Sequence, residues 1–264
     1  MSGAIAGRPS TAPPAAMIRC HGVQKAFGAH HVLNGVRCDI PEGEISVIMG
    51  PSGAGKSVLL RHFVGLLMPD AGDVIVGGKS VPGLTEQELL ELRRNMGMLF
   101  QDGALFSSMS LYDNVAFPLR QHTRKPEREI REIVMSRLAE VGLTGADAKL
   151  PSELSGSLRK RAGFARALAL EPGILLFDEP DAGLDPGRAE QLCELIREIQ
   201  RRYRSTAVVI GRDTRAALAM ADHVLLMHSG RVIAEGSKEQ VRGSDGAFAR
   251  RSVRGALGGR PSVA

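Results

Sequence analysis

Residues Gly50 to Ser57 read GPSGAGKS, and this run constrains the chain more than any other. It follows directly on an apolar strand pattern, Glu44 to Met49, and directly precedes a helical pattern, Val58 to Leu67. A glycine-rich loop between a strand and a helix lets backbone N–H groups wrap a phosphate closely, where a Cβ would obstruct the approach. Gly50, Pro51, Ser52, Gly53, Ala54 and Gly55 are therefore expected to cradle the phosphates of a nucleoside triphosphate. Lys56 is expected to reach the β and γ phosphates and the Ser57 hydroxyl to ligate Mg²⁺, while the helix that follows adds the positive end of its dipole.

Apolar runs bounded by turn residues recur at Gly97 to Gln101, Gly173 to Asp178, Thr206 to Ile210 and His223 to Met227, and read as further buried strands. Helical patterns lie between them. In the clearest, Glu127 to Val141, the side chains of Ile130, Ile133, Val134, Leu138 and Val141 share one face, with Pro126 suited to the first position and Gly142 to the end. This alternation predicts an α/β fold with a largely parallel sheet covered on both faces. The stretch from about Asp102 to Glu153 is helical without a strand, and reads as a subdomain inserted into the α/β core. Residues 1–16 contain Pro9, Pro13 and Pro14 but no continuous apolar segment, so they read as a disordered tail and not a signal peptide. Residues 243–264, rich in Gly, Ser and Arg, read as a flexible tail, which leaves 17–242 for the folded domain.

Composition narrows the partners. With 34 basic against 29 acidic residues the chain carries a net charge of +5, scattered along it and not gathered into an arm, as expected of a solvated surface. Tyr and Trp number 2 and 0, which offers few platforms for stacking bases and argues against nucleic acid as a partner. Cys20, Cys38 and Cys193 are far apart with no CxxC pair, so neither a disulfide framework nor a zinc site is expected, and a reducing compartment fits. The longest apolar stretches, such as Gly173 to Phe177 and Val224 to Met227, fall far short of the ~20 residues that span a bilayer.

Ile174 to Pro180 reads ILLFDEP, a hydrophobic strand that delivers adjacent carboxylates at its C-terminal end, where open α/β sheets bind their ligands. Beside a phosphate loop the two can divide the labour. Asp178 is expected to hold Mg²⁺, mostly through water, and Glu179 to polarise the attacking water as general base.

Upstream of this strand lies LSGSLRKRAGFARAL, Leu154 to Leu168, and downstream DAGLDP, Asp181 to Pro186. Together with Gly50 to Ser57, Gln101 and the Asp178–Glu179 pair, these resemble in order and spacing the nucleotide-binding domain of ABC ATPases, over roughly Met17 to Arg242. The resemblance implies a P-loop NTPase (RecA-like) core with a parallel sheet, an N-terminal antiparallel β element and an inserted α-helical subdomain, hydrolysing ATP with Mg²⁺. It also implies a second ATPase subunit, identical or different, because in that family the LSGGQ-like segment of one subunit caps the γ-phosphate held by the other. Here that segment supplies Ser155, Gly156 and Ser157 at a helix N-terminus, an anion-binding position by dipole and by free N–H groups. Gln101 resembles the Q-loop glutamine that senses Mg²⁺ and water. Phe27, in KAFG, matches the aromatic that stacks on adenine; the alternative is an ordinary core phenylalanine.

A narrower likeness lies at Phe100 to Arg120, FQDGALFSSMSLYDNVAFPLR, which looks like the ATPases of lipid transporters built around mammalian-cell-entry (MCE) proteins. It implies a peripheral protein on the cytoplasmic face of the inner membrane, with separate permease subunits and MCE-type substrate-binding proteins as partners. By the same analogy Leu105, Phe106 and Leu111 line the cleft where the permease docks; otherwise they are core of the helical subdomain. Rival readings are a soluble ABC ATPase acting as a regulatory or nucleic-acid-associated switch, and an importer ATPase for a polar solute.

The chain departs from the family pattern in two places. Ser157 stands where LSGG has its second glycine, and Arg212 where the family has its switch histidine. A guanidinium can clamp a phosphate but accepts no hydrogen bond from water, so hydrolysis is expected to be slowed, or one site of a mixed dimer to be the weaker.

Overall fold

The computed structural model describes residues 16–211 and 214–243. Arg212 lies outside the described residues, as do 1–15 and 244–264, which make up nearly all of both expected tails. In chain order the first elements are β1 (Ala16–Phe27), β2 (His30–Pro41), β3 (Ile45–Met49), α1 (Lys56–Phe63), β4 (Ala71–Val76) and β5 (Lys79–Ser80). There follow α2 (Glu86–Arg94), β6 (Met96–Leu99), α3 (Leu111–His122), α4 (Glu127–Glu140) and α5 (Gly156–Leu168). The last are β7 (Ile174–Asp178), α6 (Pro186–Tyr203), β8 (Thr206–Ile210), α7 (Thr214–Met220), β9 (His223–His228), β10 (Arg231–Gly236) and α8 (Lys238–Gly243).

Two sheets result. A four-stranded antiparallel sheet, in the order β2-β1-β4-β5, is built from the N-terminal third of the chain, with Cys20 opposite Cys38 across its longest pair. A six-stranded sheet runs β10-β9-β3-β8-β7-β6, and all its pairings are parallel except that of β10 with β9. Its inner strands are buried along their length because each face meets a different core. Ile45, Val47 and Met49 of β3 point, with Leu175 and Phe177 of β7, into the core shared with α3 to α7. Ile48, Leu176, Val208 and Ile210 point the other way, against Leu59, Leu60 and Phe63 of α1 and the inner face of the antiparallel sheet. A strand that reads as an uninterrupted apolar run is thus one that has no water on either side.

The parallel pairing brings strand ends level. Ile48 pairs with Ile210, and Ile210 with Asp178, so the loop leaving β3 and the carboxylates leaving β7 emerge on one edge of the sheet. Helix α1 is shorter than its sequence pattern suggests. It starts at Lys56 and stops at Phe63, because Gly65 takes the left-handed conformation at φ 64° and packs so tightly that a Cβ would lie 2.7 Å from Leu89. In α4, Pro126 is the N-cap and not the first helical residue, and Ile133 lies at the margin of the buried stripe formed by Ile130, Val134 and Leu138. The helical cluster is completed by α5, beyond the Glu153 boundary read from sequence, since α3 and α4 bury their apolar faces against Ala162, Phe164 and Ala165.

Candidate nucleotide site

The loop after β3 is shaped by close backbone packing. Gly50 (φ 151°) passes so close to the end of β9 that a Cβ would lie 2.2 Å from the Met227 carbonyl oxygen, and Gly55 (φ 94°) is the left-handed N-cap of α1. Pro51, Ser52 and Gly53 are exposed on the outside of the loop, while Ala54 is buried beneath it. No side chain caps α1, so the N–H groups of its first turn are left for an anion. Lys56 is buried to 7% exposure, and its Nζ donates to Gly50 O at 2.9 Å and Pro51 O at 3.0 Å. Burial pushes its pKa down, and the carboxylates of Glu179 and Asp178 pull it back up, so its ammonium already lies in the field of the DE pair.

Asp178 ends β7 almost fully buried, and Ser57 Oγ donates to its Oδ1 at 2.7 Å across 121 residues of sequence. A hydroxyl and a carboxylate oxygen at that separation fit one small hard cation. No group of three or more His, Cys, Asp or Glu that could hold a metal is present among the described residues. Glu179 is half-buried in the left-handed region at φ 48°, and its N–H donates to Ile210 O at 3.1 Å, which turns its side chain out of strand alternation. The turn that follows is held from below: Lys160 of α5, itself buried, donates to Pro180 O at 2.8 Å and also to Ala182 O. Burial lowers the pKa of Lys160 while Asp181, Asp102 and Glu179 raise it. Phosphate loop, cation pair and oriented carboxylate thus share one edge.

The family model for ABC transporters matches residues 33–182, more than half of the chain and the span from β2 through the turn after Glu179. The chain belongs to the ABC transporter family. It is 45% identical, over 92% of its length and 68% of the relative's, to the probable ribonucleotide transport ATP-binding protein mkl of Mycobacterium bovis. It is 44% identical, over 81% of both chains, to the intermembrane phospholipid transport system ATP-binding protein MlaF of Haemophilus influenzae. The ATP-binding cassette MJ0796, solved as a dimer in a post-hydrolysis state with ADP and Pi, superposes with a TM-score of 0.77 at 30% identity, covering 84% of this chain and 98% of that one. This is an ABC transporter's ATP-binding subunit, with the α/β P-loop fold and ATPase chemistry of its family.

The remaining residues expected from sequence lie on other elements. Ser155 is the N-cap of α5, its Oγ accepting from Leu158 N at 3.4 Å, with Gly156 exposed and Ser157 half-buried in the first turn. Among the described residues, none of the three hydrogen-bonds to the phosphate loop. Gln101 is exposed in the turn after β6. Phe27 ends β1 at 48% exposure with Lys25 Nζ 5.8 Å from its ring, so the core-phenylalanine alternative fails. Asp70 steadies that strand end by accepting from Lys25 Nζ and from Ala26 N, both at 2.7 Å.

The expected docking residues divide. Leu111 has 0% exposure and is plain core, and Leu105 packs half-buried against the same core, because α3 turns its first residue inward. Phe106 is 41% exposed and joins Phe100, Phe117 and Pro118 in an apolar groove of about 350 Å³. Sequence reading missed Lys160, Asn114 and Arg166. Lys160 recurs at helical spacing with Gly156, Gly163 and Ala167, a face of small residues on which a lysine must be pointing inward; that was the available signal.

Proposed function

We propose that this chain is the ATP-hydrolysing motor of a lipid-transporting ABC system, working as a dimer on a separate permease at the cytoplasmic face of the inner membrane. The observation that carries the reading is the Lys56, Ser57–Asp178 and Glu179 arrangement on one sheet edge, joined to the Phe100–Arg120 segment beside an apolar groove. ATP is held by the loop from Gly50 to Gly55 and by Lys56, which exchanges its two carbonyl acceptors for the β and γ phosphates. Ser57 and Asp178 would hold Mg²⁺, which supplies charge neutralisation at the phosphates when bound. Glu179 accepts a proton from the attacking water, and Gln101 orients that water. Phe27, exposed at the end of β1, offers its face to adenine.

Among the described residues Ser155, Gly156 and Ser157 make no hydrogen bond to the chain's own phosphate loop, which supports their use on the nucleotide of a second ATPase subunit. Ser157 and Arg212 are where turnover would be slowed. The groove lined by Phe106 and Phe117 is where a cytoplasmic segment of the permease would seat, and MCE-type substrate-binding proteins would lie beyond it. The two kinds of curated relative carry different cargo in their names, ribonucleotide and phospholipid. The FQDGALF to AFPLR stretch favours lipid. The experiment is reconstitution of the chain with its permease in liposomes, scoring ATP hydrolysis on addition of phospholipid or of ribonucleotide. Stimulation by ribonucleotide alone would refute the lipid assignment, and failure to co-purify with any membrane protein would refute the transporter role.

A further inference from the structure

The segment leaving Gln101 turns back on itself. Gly103 and Ala104 both occupy the left-handed region, at φ 79° and 47°, a conformation that alanine keeps only where its surroundings hold it. Two features of α5 do so. Gly163 faces the turn so closely that a Cβ there would lie 2.7 Å from the Gly103 carbonyl oxygen. Glycine is unfavourable inside a helix, so close approach is what this position serves. Arg166, three residues on, donates from Nη1 to Ala104 O at 2.7 Å and from Nη2 to Gly103 O at 3.4 Å.

The same guanidinium lies 5.7 Å from the Phe106 ring centroid and lines the apolar groove. Among the described residues no carboxylate pairs with it. A half-buried cation without a counter-ion is unfavourable unless its donors are needed where they are, and here they are given to consecutive carbonyls of the turn. On the other side Asn114, fully buried, fixes the segment to α3 by accepting from Phe106 N at 2.8 Å and donating to Phe106 O at 3.1 Å. The segment after Gln101 is therefore clamped between two helices, and one of them is α5, the helix that Ser155 caps.

We propose that Arg166 is a positioning residue for ATP hydrolysis, its planar guanidinium tying the turn after Gln101 to α5 so that Gln101 and the Ser155–Ser157 turn are carried as one body. The proposal rests on the reading of those residues as parts of the nucleotide site. Ground-state ATP is held by the loop after β3 and by Lys56 at the start of α1, neither of which the clamp touches, so loss of the clamp misplaces Gln101 and the signature turn without loosening the nucleotide. A lysine keeps the charge and reaches one carbonyl but cannot present the paired donors of a guanidinium.

Steady-state hydrolysis by the full chain, alone and assembled with its permease, tests this with R166A, R166K and G163A. R166A is expected to lower kcat about tenfold while the KM for ATP stays within about threefold, and R166K to recover part of the loss. G163A, which leaves Arg166 intact but pushes Gly103 off the helix, is expected to give the same kcat-selective loss and carries the test if R166A fails to fold. Wild-type kcat in R166A or G163A, a KM that rises in step with the fall in kcat, or R166K no better than R166A would overturn it. E179Q in the same assay separates the two levels: if it abolishes hydrolysis while R166A is neutral, the site reading stands and only the role of Arg166 falls.

Discussion

Replacing Lys56 by alanine is expected to weaken ATP binding by an amount the geometry allows to be worked out. Lys56 Nζ donates to Gly50 O at 2.9 Å and to Pro51 O at 3.0 Å. With ATP in place those donors turn to phosphate oxygens. A hydrogen bond with one charged partner contributes ~1.5 kcal/mol and one between two charged partners as much as ~3, so exchanging two carbonyls for two phosphate oxygens gains ~1–3 kcal/mol in all. That corresponds to about a 5- to 140-fold rise in Kd. The loop itself should survive, since Pro51 is exposed and water can take the place of the lost donor there. Equilibrium binding of a fluorescent ATP analogue measures the effect, with thermal melting as the check on folding. A folded K56A protein whose Kd lies within about twofold of wild type would refute the assignment of Lys56 to the phosphates.

Glu179→Gln is expected to keep ATP binding but stop hydrolysis, because it removes the proton acceptor and leaves Asp178 and Ser57 in place; an ATP-dependent dimer should accumulate on gel filtration, and wild-type turnover would exclude Glu179 as the base. Asn114→Ala removes the buried amide that accepts from Phe106 N and donates to Phe106, Met109 and Ser110 carbonyls, and should cost ~2–4 kcal/mol of stability in urea titration; a loss within the error of the wild-type midpoint would mean that water replaces the amide. Arg212→His is expected to raise kcat more than it changes KM, since a neutral imidazole both donates and accepts where a guanidinium only donates; an unchanged or lower kcat would move the impairment to Ser157, which the double variant with Ser157→Gly would reveal.

Much of the site was legible because its parts are contiguous. Gly50 to Ser57 forms its cradle from neighbours along the chain, and the Asp178–Glu179 pair is delivered by the strand that precedes it, so motif and flanking pattern suffice to read both. The parallel strands were legible for a related reason: a run such as Ile174 to Phe177 has no polar face to show when both faces are covered. The long strands β1 and β2 escaped a residue-level reading, although Ile18 and Cys20, then Val36, Cys38 and Ile40, alternate with exposed or partly exposed positions. Bulges within the pair break that alternation, as between His21 and Val23.

Residue types and local spacing alone determined that this chain folds around a phosphate loop and carries a carboxylate pair at a strand end, and the motifs in that order carry its resemblance to the ABC ATPases. Only the tertiary structure decided which side chains meet. It brings Ser57 to Asp178 across 121 residues, sends Lys160 under the turn after Glu179, hides Leu111 while exposing Phe106, and closes Arg166 onto Gly103 and Ala104. Those contacts depend on where distant elements come to rest, which is set by the burial of faces summed over the whole core. A phosphate loop is a local conformation, whereas a clamp between two elements exists only once both have packed.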